Sequence, residues 1–317
     1  MINTLLPKNI LIYCSSLLYA PFKCTITALS LILGINHDKL GRILYKKYHW
    51  KEILMNIACE IDLNSGYLIV DETEVNKSYS KITNGLSWLY SHKEKRHLFC
   101  YQIILICWTN GKKTFPLAWK IYSKGGKTKT DLAIELMSYC LYVLRIKPQA
   151  FLFDAFYASE KILSFLEKNN QDYFTQVPRN RLFDGLALKK HEKGRPYWMK
   201  IGYLKNKIKV QLVKNRRKYY ITNRIGMTRK EQLATYKIRW QIELIFRFVK
   251  SQLGLEHCQS TSKQVQQNHF GCCFLVYALL QDTVQKTGLS LYAIRKKATL
   301  ECLNTNNVDL TSYFNSA

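Results

Sequence analysis

The sequence predicts an α/β fold, a mixed β-sheet flanked by helices. From Gly66 onwards, short runs of aliphatic and aromatic residues alternate with segments of helical periodicity. The first three runs follow one another through short connections, as antiparallel strands do, and the later ones are separated by helices. The predicted order is β-β-β-α-β-α-β, followed by a long basic stretch and a further helix.

Residues 1–62 are predicted to form a helical N-terminal region that binds DNA. Within "ALSLILGINHDKLGRILYKK", Ser30, Gly34 and Leu40 have the spacing of two short helices that cross at a tight turn, as in a helix-turn-helix. Lys39 and Arg42 would then lie on the second helix and contact DNA. An ordinary helical hairpin has the same pattern, so both interpretations stay open.

The sheet is predicted from five apolar runs. "GYLIVDETEV" is a short strand that ends in acids, and "HLFCYQIILICWT" and "TFPLAWKIY" follow it on either side of a turn. Lys129–Arg145 has helical periodicity, and "AFLF" then ends at Asp154. Ser159 can cap the next helix, which precedes the strand "DYFTQV".

One long helix is predicted over residues 229–253. Thr228 and Glu231 form a capping box at its start, and Gly254 is its expected C-terminal stop. Residues 63–286 are therefore predicted to be one catalytic domain. Residues 287–317 are predicted to be a partly helical tail.

Charge and cysteine content limit the function. The 317 residues carry a net charge of +26, which indicates a polyanionic partner, most often nucleic acid and less often an anionic membrane surface. No apolar run approaches 20 residues, so no membrane span is expected. The ten cysteines include no C-x-x-C pair, which disfavours zinc and fits a reducing cytoplasm.

The charge is concentrated between residues 178 and 230. This stretch has 17 lysines and arginines against two acids, a net charge of +15. Its alternating pattern predicts β-ribbons at about 178–222, and interleaved aromatics suit contact with DNA backbone and bases. A merely solvated basic face is the alternative. The predicted DNA contacts here are Trp198, Arg216, Arg217 and Lys218.

A glutamate stands in the apolar segment "YKIRWQIELIFRFVK". On a helix, Tyr236, Arg239, Glu243 and Lys250 fall within an arc of about 60°, beside the apolar flank. This arrangement presents a carboxylate beside two cations. Salt bridges on a helix surface would give the same pattern.

Two aspartates directly follow apolar runs, Asp71 after "YLIV" and Asp154 after "AFLF". Ligands bind at the carboxyl ends of strands in open α/β sheets, so the two aspartates are expected in one crevice with Glu243. Three crowded carboxylates need a cation, and oxygen ligands select Mg²⁺ or Mn²⁺. Two such ions about 3.5–4 Å apart support in-line displacement at a phosphodiester. Glu72 and Glu74 lie close by, but the strand that ends at Asp71 favours Asp71.

Y-x2-R-x3-E-x6-K, satisfied by Tyr236, Arg239, Glu243 and Lys250, resembles the signature of one large group of DDE transposases of bacterial insertion sequences. "LIVDETEVNK" and "FLFDAFYAS" resemble the two aspartate motifs of that group. The resemblance covers about residues 66–281. It implies a ribonuclease-H-like fold with a β-rich insertion, which residues 178–222 would form.

The resemblance also implies roles for these residues. Asp71, Asp154 and Glu243 would be the metal ligands, while Tyr236, Arg239 and Lys250 would contact phosphates near the cut end. Trp198 is the nearest candidate for an aromatic that accepts a flipped base in members that cut through a DNA hairpin.

The expected protein is a bacterial, nucleoid-associated transposase, with double-stranded DNA as partner and a homodimer in the DNA complex. No membrane or small-molecule partner is expected. A metal-dependent nuclease without strand transfer and a catalytically silent DNA-binding protein are the alternatives.

Overall fold

The computed structural model describes residues 6–20, 25–58, 61–80, 82–83, 85–91, 94–191 and 194–304. The predicted N-terminal region, insertion and C-terminal tail therefore lie partly outside the described residues, at 1–5, 21–24, 59–60, 192–193 and 305–317. Within the described part, the chain has the predicted mixed α/β architecture. The sheet and helices match a ribonuclease-H-like fold.

The large sheet contains one long antiparallel pair of strands, and its central strands are parallel. The strands are β1 (Tyr67–Asn76), β2 (Ser87–Ser91), β3 (Arg96–Thr109), β4 (Thr114–Tyr122), β5 (Ala150–Phe153), β6 (Tyr173–Val177), β9 (Tyr197–Tyr203), β10 (Lys209–Asn215) and β11 (Lys218–Thr222), and a separate small hairpin is formed by β7 (Leu182–Phe183) and β8 (Leu186–Ala187). The order is β2-β3-β1-β5-β6-β11-β10-β9, with β4 also paired to β3. β1 pairs in parallel with β5 and antiparallel with β3, and its apolar residues are buried on both faces.

Helices cover both faces of this sheet. They are α1 (Lys8–Tyr19), α2 (Ile26–Leu33), α3 (His37–Tyr45), α4 (Trp50–Ile57), α5 (Lys129–Ser138), α6 (Glu160–Lys168), α7 (Arg229–Lys237), α8 (Trp240–Ser251), α9 (Lys263–Thr287) and α10 (Leu291–Asn304). α9 packs on α1, α3, α4, α8 and β4, so it forms the centre of the helical layer. No helix among the described residues is long and apolar enough to cross a membrane.

The N-terminal helices are short, and a tight turn joins α2 to α3. α2 ends at Gly34, which has a left-handed φ of 61°, and Asn36 caps α3 by accepting from the backbone N–H of Asp38. Lys39 and Arg42 are exposed on α3. The described part of residues 1–62 is therefore helical, with two short helices at the position where the sequence has Ser30, Gly34 and Leu40.

Three elements differ from the sequence prediction. β1 does not end at Asp71 but continues to Asn76, because it pairs with β3 along its whole length. β2 was not predicted. The helix expected over residues 229–253 begins at the Thr228 capping box but divides into α7 and α8, since the backbone at Ile238 and Arg239 makes i→i+3 hydrogen bonds.

Within the predicted basic insertion, which also holds the β7–β8 hairpin, three strands extend the main sheet. β11 pairs with β6, β10 with β11, and β9 lies at the sheet edge. Its outermost turn, between β10 and β11, carries the exposed residues Arg216, Arg217 and Lys218. This side of the molecule is at the opposite end of the sheet from β2.

Candidate active site

Asp71 and Asp154 are brought together by strand register. Val70 on β1 is the register partner of Phe153, the last residue of the parallel strand β5. Asp71 and Asp154 are the residues that directly follow this pair. β5 stops there, because Asp154 begins a turn in which its Oδ1 accepts from the backbone N–H groups of Phe156 (2.9 Å) and Tyr157 (3.4 Å). Strand register therefore places these two aspartates side by side.

Asp71 is shielded from solvent and held by two donors. Its Oδ1 accepts from the backbone N–H of Glu72 at 2.8 Å, and its Oδ2 accepts from Arg239 Nη1 at 2.6 Å. Burial raises the pKa of Asp71 to about 7, and the nearby charge of Asp154 adds to this, while Arg239 works against it. The ionised carboxylate of Asp71 therefore depends on a nearby cation for its stabilisation.

Arg239 joins Asp71 to Glu243. Its Nη2 donates to Glu243 Oε1 at 2.5 Å, while Nη1 holds Asp71, and the Arg239 side chain is only 14% exposed. Burial alone would lower the pKa of Arg239, but the charges of Asp71 and Glu243 contribute to a net rise. The guanidinium thus lies between two of the three predicted metal ligands.

No group of three or more His, Cys, Asp or Glu side chains in the described ranges is arranged to hold a metal ion as it stands. Asp71 and Glu243 are instead neutralised by Arg239.

Glu72 points to the other face of β1 and is fully engaged there. Its carboxylate accepts from Gln102 Nε2, Lys129 Nζ and Tyr157 Oη at 2.9, 2.7 and 2.6 Å. Glu74 accepts from Ser91 Oγ at 2.6 Å. These partners leave Asp71 as the acid of β1 that meets Asp154 and Arg239.

Lys250 lies two turns beyond Glu243 and holds α8 against β1. Its Nζ donates to the carbonyl oxygen of Glu74 and lies 3.4 Å from the carboxylate of Glu256. Beside it, the buried Lys77 donates to the carbonyl oxygens of Glu256 (2.8 Å) and Cys258 (2.6 Å). Sequence reasoning missed Lys77, because a lysine after a strand gives no signal that its ammonium is buried.

Tyr236 connects the carboxylates to the basic insertion. Its ring packs edge-on against Tyr220 of β11, with centroids 5.0 Å apart, and the Arg239 guanidinium lies 5.9 Å from its centroid. These residues line a cleft of about 480 Å³ that also reaches Lys218 and Trp240. The cleft therefore leads from the insertion to Arg239.

The other predicted DNA contacts lie in different surroundings. Trp198 packs between His191 and Tyr219, and its Nε1 is buried without a hydrogen-bond partner. The ring is thus part of the core of the insertion in this conformation. Arg216 is exposed, and its Nε donates to Tyr197 Oη at 3.3 Å.

Comparison with known proteins identifies the family. A family model for the transposase DDE domain matches residues 65–279, about two thirds of the chain. Among solved structures, a piggyBac transposase in a synaptic complex with hairpin DNA has a TM-score of 0.62 and 8% identity, over 97% of this chain and 71% of that one. That identity supports similarity of fold alone. A search of curated proteins gives no significant match.

The family match spans β1, β5 and α8, which carry Asp71, Asp154 and Glu243. The chain therefore belongs to the DDE transposase domain family, whose members are enzymes that cleave and transfer DNA.

Proposed function

We propose that this transposase binds the ends of an insertion sequence and cuts and joins DNA at Asp71, Asp154 and Glu243, with Mg²⁺ as cofactor. One observation carries the proposal. Asp154 lies beside Asp71 through strand register, and one buried guanidinium binds both Asp71 and Glu243. Two carboxylates distant in sequence thus share one guanidinium, and the third follows the strand beside the first.

The donor set fits a hard divalent cation. The three residues offer only carboxylate oxygens, which Mg²⁺ and Mn²⁺ prefer, and Asp71 already shares a cation with Glu243. Asp71 and Glu243 would hold one ion and the two aspartates the other, once Arg239 has moved aside. Bound there, the ions would supply activation of the attacking oxygen and stabilisation of the leaving oxygen.

The protein would position the DNA through its cations. Arg239 has a fork that suits a phosphate, and the DNA backbone would draw it away from Asp71. Tyr236 and Lys250 would contact phosphates near the cut end. The turn Arg216–Lys218 would bind the backbone further along the duplex, and Lys39 and Arg42 on α3 would bind the element end.

The domain organisation follows the same proposal. Residues 1–62 would bind DNA, residues 63–286 would form the catalytic domain with the insertion at about 178–222, and residues 287–317 would be a tail. Two copies would assemble on the paired ends, as a homodimer in the DNA complex.

The experiment is strand cleavage of DNA that carries the repeats flanking the gene, with Mg²⁺ or Ca²⁺, for wild type and Glu243→Gln. The variant keeps the side-chain shape and removes one charge from the proposed metal site, so we expect DNA binding to persist and cutting to fall at least about 100-fold. Glu301→Gln on α10 is the matched control. Unchanged cutting by Glu243→Gln would remove Glu243 from the site.

A strand-transfer assay with a supercoiled target separates the transposase from a plain nuclease, which would cut the ends without joining them. Binding without cutting by the wild type itself would leave a catalytically silent DNA-binding protein.

A further inference from the structure

The outer edge of the sheet, formed by β2, carries two aromatic pairs. Trp88 is the register partner of Phe99 on β3, and Tyr90 that of His97. The Trp88 and Phe99 rings are stacked with centroids 5.4 Å apart, and the Tyr90 and His97 rings meet edge to face at 5.3 Å. Trp88 is 62% exposed and Tyr90 47%. We call these four residues the aromatic platform.

The aromatic platform lies on the same face of the sheet as Asp71. Asp71 is opposite Leu105 on β3, and alternate residues from there, through Tyr101, lead to Phe99 on one face. α9 covers this face as far as Tyr101, whose ring contacts Phe270. Six residues of strand separate Leu105 from Phe99, so the platform begins about 20 Å from Asp71.

Cations lie near both ends of β2, which carries the aromatic platform. The backbone N–H of Lys124 donates to Ser87 Oγ, and the side chain of Lys263 passes beside Gly85, which places both exposed lysines near the start of β2. Lys95 and Arg96 are exposed at the other end of the hairpin, where Arg96 is paired with Glu94. Flat aromatic surface flanked by cations suits a strand of unpaired nucleic acid, because bases stack and phosphates need positive charge.

The position on the sheet indicates which DNA this is. The basic insertion lies at one end of the strand order and the platform at the other, with β1 and β5 between them. Because α9 covers the face between Asp71 and Tyr101, DNA held by the insertion that passes Asp71 would run along the outside of α9 and reach the platform on the far side of the reacting phosphate. At the rise of a duplex strand, about 3.4 Å per nucleotide, 20 Å corresponds to about six nucleotides, and a more extended unpaired strand spans it with fewer.

We propose that the aromatic platform stacks the unpaired bases of the DNA that flanks the element, within about six nucleotides of the cut phosphate. This inference rests on the proposed function, which gives the path of the DNA from the insertion past Asp71. It adds a further DNA contact, which reads no sequence and acts on bases through Trp88 and Tyr90. The platform would hold the flank separated while the end is processed.

The test compares two DNAs that differ only in the flank. Each has a fluorescein-labelled duplex element end and a ten-nucleotide single-stranded flank, made either of ordinary nucleotides or of abasic sugar-phosphate. Fluorescence anisotropy without divalent metal measures the affinity for each. Stacking contributes about 1–3 kcal/mol per base, so we expect the wild type to prefer the base-containing flank by about 5-fold or more.

Trp88→Ala should bring this preference close to one, and Trp88→Phe should keep most of it. Tyr142→Ala, which removes another exposed ring 60% accessible to solvent, is the matched control and should keep it all. Because Trp88 is exposed, we expect its variants to retain the wild-type melting temperature.

Equal affinity of the wild type for both flanks would overturn the proposal, as would a preference that survives Trp88→Ala. A preference for bases that appears only when the single-stranded extension is on the element side of the duplex would also overturn the proposal. A change of oligomeric state in Trp88→Ala would overturn it as well, because this edge would then be a contact between copies of the chain. A wild-type protein that prefers the base-containing flank but does not cut DNA would reject the proposed function alone. A wild-type protein that cuts DNA but shows no such preference would reject the platform alone.

Discussion

Arg239 is the residue on which the candidate site depends. Its guanidinium lies between Asp71 and Glu243, where the proposed ion would bind. Two positive charges cannot share this space, so arginine and metal compete for the same carboxylates. Metal binding is then expected to be weak until a DNA phosphate attracts Arg239.

We therefore predict that Arg239→Ala binds Mn²⁺ more tightly than the wild type when DNA is absent. Removing a cation that contacts two carboxylates should strengthen Mn²⁺ binding about tenfold or more. Titration followed by electron paramagnetic resonance of free Mn²⁺ measures this. Without metal the variant should also melt at a lower temperature than the wild type, because Asp71 loses its buried partner. Added Mn²⁺ should raise the melting temperature of the variant again.

Arg247→Ala provides the control for this experiment. Arg247 lies on the same helix, but its guanidinium is 5.8 Å from the Trp240 ring centroid and it is exposed. Its removal should leave Mn²⁺ affinity unchanged. Equal affinities in wild type and Arg239→Ala would mean that the guanidinium does not occupy the ion position.

The sequence predicted part of this geometry. Helical periodicity put Arg239 and Glu243 side by side, and the contact of Arg239, the residue before α8, with Glu243 confirms that spacing. The contact between Arg239 and Asp71 joins residues 168 positions apart, and no local pattern reports which acid of "DETE" faces the helix. The alternation of β1 decides this, since it turns Glu72 towards Lys129 and Tyr157.

At the scale of elements, long apolar runs were predictable and short polar ones were not. β3, β4, β5 and β6 follow the predicted runs because burial of their side chains requires apolar residues. β2 has five residues with Trp88 and Tyr90 exposed, so it lacks that signal. The break between α7 and α8 was also missed, because Ile238 and Arg239 keep helical dihedral angles there.

The layer of α1, α8 and α9 contains a buried histidine that links these helices. His269 of α9 accepts from Tyr13 Oη at Nδ1 and donates from Nε2 to the carbonyl oxygen of Gly254, each at 2.9 Å. This pattern requires the neutral ring with its proton on Nε2. Burial lowers the pKa of His269 to about 3, while the carbonyl bond opposes that change.

We predict that His269 makes the fold acid-sensitive. Since its pKa lies below the ordinary value near 6.5, the unfolded chain takes up a proton between pH 6.5 and 3 that the folded chain does not. The contribution of His269 to stability is therefore lost as pH falls through this window, by about 2 kcal/mol between pH 6.5 and 5. Asp71, whose pKa is raised to about 7, changes stability in the opposite direction there, so the His269 share is the difference between wild type and a His269 variant. Urea unfolding at several pH values measures it.

His269→Gln should be less stable than wild type at pH 7, because Tyr13 loses a well-placed acceptor. The difference between the two proteins should shrink by about 2 kcal/mol on going to pH 5, because glutamine does not titrate. Parallel stability curves for wild type and variant would contradict the assignment. His37→Gln, at an exposed position on α3, is the control.

For the whole molecule, charge and sheet order together determine how DNA can lie. The net charge of +26 is unevenly placed, with +15 between residues 178 and 230, at one end of the nine-stranded sheet. The candidate active site is at the centre of that sheet. An arrangement of this kind binds DNA mostly by electrostatics on the insertion side.

We expect DNA affinity to depend steeply on salt concentration. We also expect mutations in the basic insertion to reduce this dependence. Each phosphate contact adds about 0.9 to the slope of log affinity against log salt. The triple variant Arg216→Ala, Arg217→Ala, Lys218→Ala should therefore reduce the slope by about 2 to 3 units for an element-end duplex. Anisotropy titrations from about 50 to 200 mM KCl, with Ca²⁺ replacing Mg²⁺, would give the slopes.

The matched triple variant Lys286→Ala, Lys296→Ala, Lys297→Ala removes the same charge from exposed positions at the end of α9 and on α10. Both variants have equal net charge, so a slope that falls equally in both would mean that DNA senses only the total charge. A fall confined to the Arg216–Lys218 variant would place the duplex along β10 and β11. From there the cleft lined by Lys218 and Tyr236 leads to Arg239, and hence to Asp71 and Glu243.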